Sequence, residues 1–112
     1  MNVKRILIAN DLRSYREAVA EAFRQLRPEC EIFEVESGDL NREVLRLRPD
    51  LAICSQATSL VRERVLNWVE LYPDCEPYSM VCIEKQCSQV EDMQLGDLLS
   101  IADRIEHHAH IS

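Results

Sequence analysis

Two short runs, Ile6-Leu7-Ile8-Ala9 and Leu51-Ala52-Ile53-Cys54, are apolar at every position. A strand with one wet face alternates apolar and polar side chains, so an unbroken run suits a strand covered on both faces. Each run precedes apolar residues at helical spacing: Tyr15, Val19, Ala22, Phe23 and Leu26 before Pro28, and Val61, Val65, Trp68, Val69 and Tyr72 before Pro73-Asp74. Between them, residues 31–36 read as a more polar strand nearer an edge. Leu40, Val44, Leu45 and Leu47 stripe a short helix closed by Arg48-Pro49-Asp50. Residues 78–83 read as a fourth strand, and Leu95, Leu98, Leu99, Ala102 and Ile105 stripe a last helix. Strands alternating with helices imply right-handed βαβ units. The expected fold is α/β: a doubly wound parallel sheet in strand order 2-1-3-4, abbreviated after strand four, with helices on both faces. Any ligand site is expected at the C-terminal ends of strands one and three, Asn10-Asp11 and Cys54-Ser55.

With 112 residues and no repeat or linker, residues 1–112 are expected to form one domain. The formal net charge is −7 and unevenly spread: residues 1–50 hold 9 bases against 10 acids, residues 51–112 hold 4 against 10. A basic footprint for phosphates is missing, so neither nucleic acid nor a membrane surface is an expected partner. Two glycines, Gly38 and Gly96, cannot build a dinucleotide fingerprint or a Walker-type loop. The N-terminal apolar run is too short for a signal peptide, and no stretch approaches the roughly 18 apolar residues of a membrane span. The expected location is the cytoplasm.

Five cysteines, at 30, 54, 75, 82 and 87, match no paired zinc pattern. In a reducing compartment most are expected to be small buried apolar residues, Cys54 and Cys82 above all, since both fall in expected strands. Cys75 and Cys87, together with His107, His108 and His110 beyond the last helix, supply an alternative function as a thiol- or metal-responsive regulator. The histidines read first as a polar tail that suits the dipole of the preceding helix.

Ile6-Leu7-Ile8-Ala9-Asn10-Asp11, then Tyr15-Arg16-Glu17-Ala18, then the segment from Leu47 through Asp50 to Ser55, resemble the receiver domain of two-component response regulators over about residues 3–84. The resemblance implies a flavodoxin-like sheet and a phosphorylation site: two acids ending strand one hold Mg²⁺, an aspartate ending strand three accepts phosphate, and a hydroxyl residue and a lysine end strands four and five. Carried over position by position, the acid pair becomes Asn10-Asp11 and the acceptor becomes Ser55. The hydroxyl position falls at Ile83 or Glu84, and Lys85 stands just past strand four. A serine brings no charge to a metal and lacks a neighbouring base, so the resemblance implies a degenerate receiver that signals without phosphorylation. Asp11 reads as a cap or turn residue before it reads as a weak cation ligand, and Ser55 as a polar loop residue before a locking hydrogen-bond donor. Lys85 reads as a solvated loop lysine before a partner for Asp11. No enzyme activity, metal or cofactor is expected.

Residues 85–112 leave the receiver plan. Without a fifth strand, strand four would be an open edge, and an open edge is a pairing template. Ser88-Gln89-Val90-Glu91 reads as a capping box and Gly96-Asp97 as a second helix start. The expectation is a signalling or regulatory module that binds a protein partner or a second copy of itself through strand four and residues 84–97, burying Met80, Ile83, Val90, Met93 and Leu95. The acidic C-terminal half favours a basic partner surface.

Overall fold

The computed structural model describes residues 4–72 and 76–105. Its elements are β1 (Arg5–Ala9), α1 (Arg13–Leu26), β2 (Glu31–Glu34), a 3-10 turn (Ser37–Asp39), α2 (Leu40–Leu47), β3 (Leu51–Cys54), α3 (Ser59–Arg64), β4 (Asn67–Glu70), β5 (Tyr78–Ile83), β6 (Gln86–Glu91) and α4 (Leu95–Arg104). All six strands form one sheet in the order β2-β1-β3-β4-β5-β6. The pairs β1–β2, β1–β3 and β3–β4 are parallel, while β4–β5 and β5–β6 are antiparallel.

This mixed sheet overturns the expected flavodoxin-like, wholly parallel one. The expected third helix, striped from Val61 to Tyr72, stops at Arg64, and a new strand takes over at Asn67. Positions 61, 65 and 69 are spaced by four, which is about one helical turn and also two strand repeats, so the stripe fits both periods. β-Branched Val65 and Val69 beside Trp68 favour the extended form, and all four residues of β4 are buried. The segment after it then decides direction. Seven residues separate Glu70 from Tyr78, too few for a crossover to a parallel neighbour, so β5 runs back antiparallel.

A second hairpin follows. β5 turns into β6 through Glu84-Lys85, whose φ angles of 50° and 71° make the type I′ geometry that suits a two-residue connection. Neither residue is one that adopts positive φ cheaply, which is why no hairpin signal is visible in the sequence. Strand four of the sequence reading is therefore β5, paired by β4 on one side and β6 on the other, and not an open edge.

Helices cover both faces. One core holds Ile6, Ile8 and Ile53 of the sheet under Val19 and Phe23 of α1 and Leu98 and Ile101 of α4. The other holds Leu7, Ala52 and Trp68 under Leu40 and Val44 of α2 and Val61 of α3. The last helix is anchored at its C-terminal end: Lys4 Nζ donates to the Ala102 carbonyl at 2.6 Å, and Arg27 grips Asp103 through two hydrogen bonds of 2.7 and 2.6 Å. That pairing holds the Asp103 carboxyl below its ordinary range.

The turn generates a prediction. Lys85→Gly removes the Cβ penalty at φ 71° and is expected to stabilise the protein by about 0.5–1 kcal/mol. A urea titration reads it as a higher midpoint with an unchanged slope; a lower midpoint would mean the Lys85 side chain supports the turn.

Candidate functional site

The C-terminal ends of β1 and β3 bring Asn10, Asp11 and Ser55 together, as their order along the sheet requires. Asn10 is buried, and its Oδ1 accepts from the Leu12 N–H at 2.8 Å, which bends the chain into α1. The Asp11 N–H donates to Ser55 Oγ at 2.8 Å, so the serine is an acceptor here. The Ser37 hydroxyl donates to Asp11 Oδ1, and Arg16 reaches the Asn10 carbonyl at 3.0 Å. The strand ends thus close on each other: Asn10 Oδ1, Asp11 Oδ1 and Ser55 Oγ each accept a hydrogen bond within these loops, and the Asp11 side of the site is exposed.

A carboxylate that the sequence reading placed in a helix stands two strands away. Glu70 pairs with Cys54 in the β3–β4 register and is buried. Its Oε2 accepts the Ala57 N–H at 2.8 Å, and its Oε1 faces Arg62 at 3.4 Å. Arg62 in turn donates to the Ala57 carbonyl at 3.2 Å and lies 5.0 Å above the Trp68 ring. Together they staple the loop between β3 and α3, whose helix Thr58 caps by accepting the Val61 N–H. Cys54 beside them is a structural thiol: burial first, then the Glu70 charge, pushes its pKa up to about 12. Among the described residues no three His, Cys, Asp or Glu side chains are grouped to hold a metal ion.

Ile83, Glu84 and Lys85 lie at the other end of the sheet, because β5 runs against β1 and β3. Ile83 faces Asn67 at the start of β4, and the Glu84 N–H donates to Asn67 Oδ1 at 3.0 Å. The six positions carried over from the receiver resemblance are therefore split between opposite ends, and Lys85 has no route to Asp11. The expected docking surface is divided too. Met93 is buried in the α1–α4 core, where Ile83 and Val90 pack against it, whereas Met80 packs on the opposite face and Leu95 is exposed.

The cysteines change most. Cys82 and Cys87, expected as free thiols, stand opposite each other across β5–β6 with Cα atoms 4.0 Å apart and form a disulfide. Cys30 and Cys54 are the free thiols among the described residues. Cys75, His107, His108 and His110 lie outside those residues. The pairing was hidden in the sequence because five residues between two cysteines mean nothing until a two-residue turn sets the register.

No family model, curated protein or solved structure matches the chain. No described helix is long and apolar enough to cross a membrane.

Two measurements follow. Iodoacetamide at pH 8 is expected to leave Cys54 unlabelled in the native protein and to modify half-buried Cys30 slowly, since burial raises both thiols. Labelling of Cys54 as fast as in urea would remove the buried-thiol assignment. Met93→Glu, which on an exposed interface would split a dimer, is expected instead to cost about 3 kcal/mol or more of folding stability; a midpoint within error of the wild type would put Met93 on the surface.

Proposed function

We propose that the chain is a regulatory module that acts by protein–protein contact, and that β6 is its docking edge, with a second copy of the chain as its partner. The observation that carries this is the contrast between the two edges of the sheet. β2 is four residues long, begins and ends in glutamate, and ties both to arginines, Glu31 to Arg5 at 3.3 Å and Glu34 to Arg24 at 2.9 Å. Charged side chains of this kind are how an edge strand is protected from pairing. β6 has six residues, exposed at five of them, and carries no proline and no charge before Glu91.

The backbone faces outward in a definite register. The 4.0 Å Cα separation of Cys82 and Cys87 marks a non-hydrogen-bonded pair, for which about 4.5 Å is usual against about 5.5 Å for a bonded one. The N–H groups of Cys87 and Gln89 therefore point away from β5. An antiparallel β6 from a second copy meets them around a two-fold axis, with no block of like charge in the way.

Two chains of net charge −7 repel at a distance, so association is expected to strengthen as salt screens that repulsion. Sedimentation over a range of concentration and salt tests the reading, with Gln89→Pro as the variant that deletes an outward N–H and leaves the β5 ladder intact. The expected outcome is a wild-type dimer and a folded monomeric variant. A wild type that stays monomeric in high salt, or a Gln89→Pro variant that dimerises equally, overturns it.

A further inference from the structure

The Cys82–Cys87 disulfide has two unlike sulfurs. Cys82 is 1% exposed in the core beneath α3, whereas Cys87 is exposed on the edge strand. The bond lines a pocket of about 290 Å³ formed with the C-terminal end of α3, and the charged side chains of that pocket are Arg62, Arg64 and Lys85 against Glu63. Arg62 is shared with Glu70 and Trp68. Arg64 and Lys85 make no ion pair among the described residues. This locally basic pocket on an acidic chain favours an anion, and the exposed Cys87 lines it.

We infer that this is a thiol–disulfide exchange site for a low-molecular-weight thiol bearing carboxylates, with Cys87 as the sulfur that is attacked. The thiolate of the small molecule enters the pocket, its carboxylate held by Lys85 and Arg64, and attacks Cys87 Sγ. The bond between the two protein sulfurs breaks, and its electron pair leaves on Cys82 Sγ, which takes a proton from water. The product is a mixed disulfide on Cys87. A second small thiolate attacks the small-molecule sulfur of that adduct and releases Cys87 as a thiolate beside the same cations. The protein disulfide gains two electrons, and two small thiols are oxidised to their disulfide. Attack in the opposite sense is blocked by access, since Cys82 has no exposed face. The site stands apart from the strand docking proposed above: it uses side chains on the α3 face of the hairpin, not the outer backbone of β6.

The experiment follows the oxidised protein in glutathione, an anionic thiol, and in cysteamine, a cationic one, at equal thiolate concentration, with intact mass and peptide mapping after acid quenching. Glutathione is expected to open the bond about tenfold faster than cysteamine despite the chain's overall negative charge, with the trapped adduct on Cys87. In the Arg64→Gln/Lys85→Gln double variant that preference is expected to fall towards one, with folding unchanged. As a second check, Cys82→Ser frees the Cys87 thiol, which oxidised glutathione is expected to cap as read by peptide mapping, while Cys87→Ser leaves a buried Cys82 that it does not cap. A wild-type rate ratio at or below one, an adduct on Cys82, or a bond left intact in glutathione overturns the proposal.

Discussion

Asn67 is the residue on which the architecture turns. It is 1% exposed at the start of β4, and a buried amide is costly unless its donor and acceptor are both used. Its Nδ2 donates to the Asp50 carbonyl at 3.0 Å, on the loop leading into β3, and its Oδ1 accepts from the Glu84 N–H at 3.0 Å, in the turn between β5 and β6. One side chain thus joins the parallel half of the sheet to the antiparallel hairpin. Glu84 sits at φ 50°, a conformation costing roughly 1–2 kcal/mol outside glycine. The bond from Asn67 offsets part of that cost by giving the strained N–H a buried acceptor.

The change of direction at β4 redistributes the chemistry of the chain. In a doubly wound parallel sheet all strand ends that face a ligand lie on one side, and a site collects there. Here β5 alone runs the other way, and the ends of β1, β3 and β4 deliver Asn10, Asp11, Ser55 and Glu70, whose side-chain oxygens hold loops. β5 carries Ile83 to the opposite end. With these side-chain oxygens holding the loops, the feature that remains unexplained by loop support is the disulfide of the added hairpin.

Much of the chain was legible because its apolar pattern is strong. The unbroken runs at 6–9 and 51–54 are β1 and β3 in parallel contact, and the stripes at Val19–Phe23 and Leu40–Leu47 are the buried faces of α1 and α2. What stayed hidden had physical reasons. β4 lay inside a stripe whose spacing of four fits helix and strand alike, and with it went Glu70. β6 has one half-buried side chain, Val90, so periodicity has nothing to act on; its conformation comes from pairing with β5. Its residues 88–91 mimic a capping box in sequence, but the capping box that forms is Gln94 with Asp97 at the start of α4.

Because β6 buries so little, it is held by its ladder to β5 and by one covalent bond. Strands with few buried contacts open at low free-energy cost, and a polar strand specifies its register weakly, since a slip exchanges no core residue for a surface one. The Cys82–Cys87 bond removes that freedom at the second residue pair from the turn. It fixes which N–H groups of β6 face outward. Apart from that bond, β6 is held by its ladder to β5 and by a turn whose two residues both sit at positive φ.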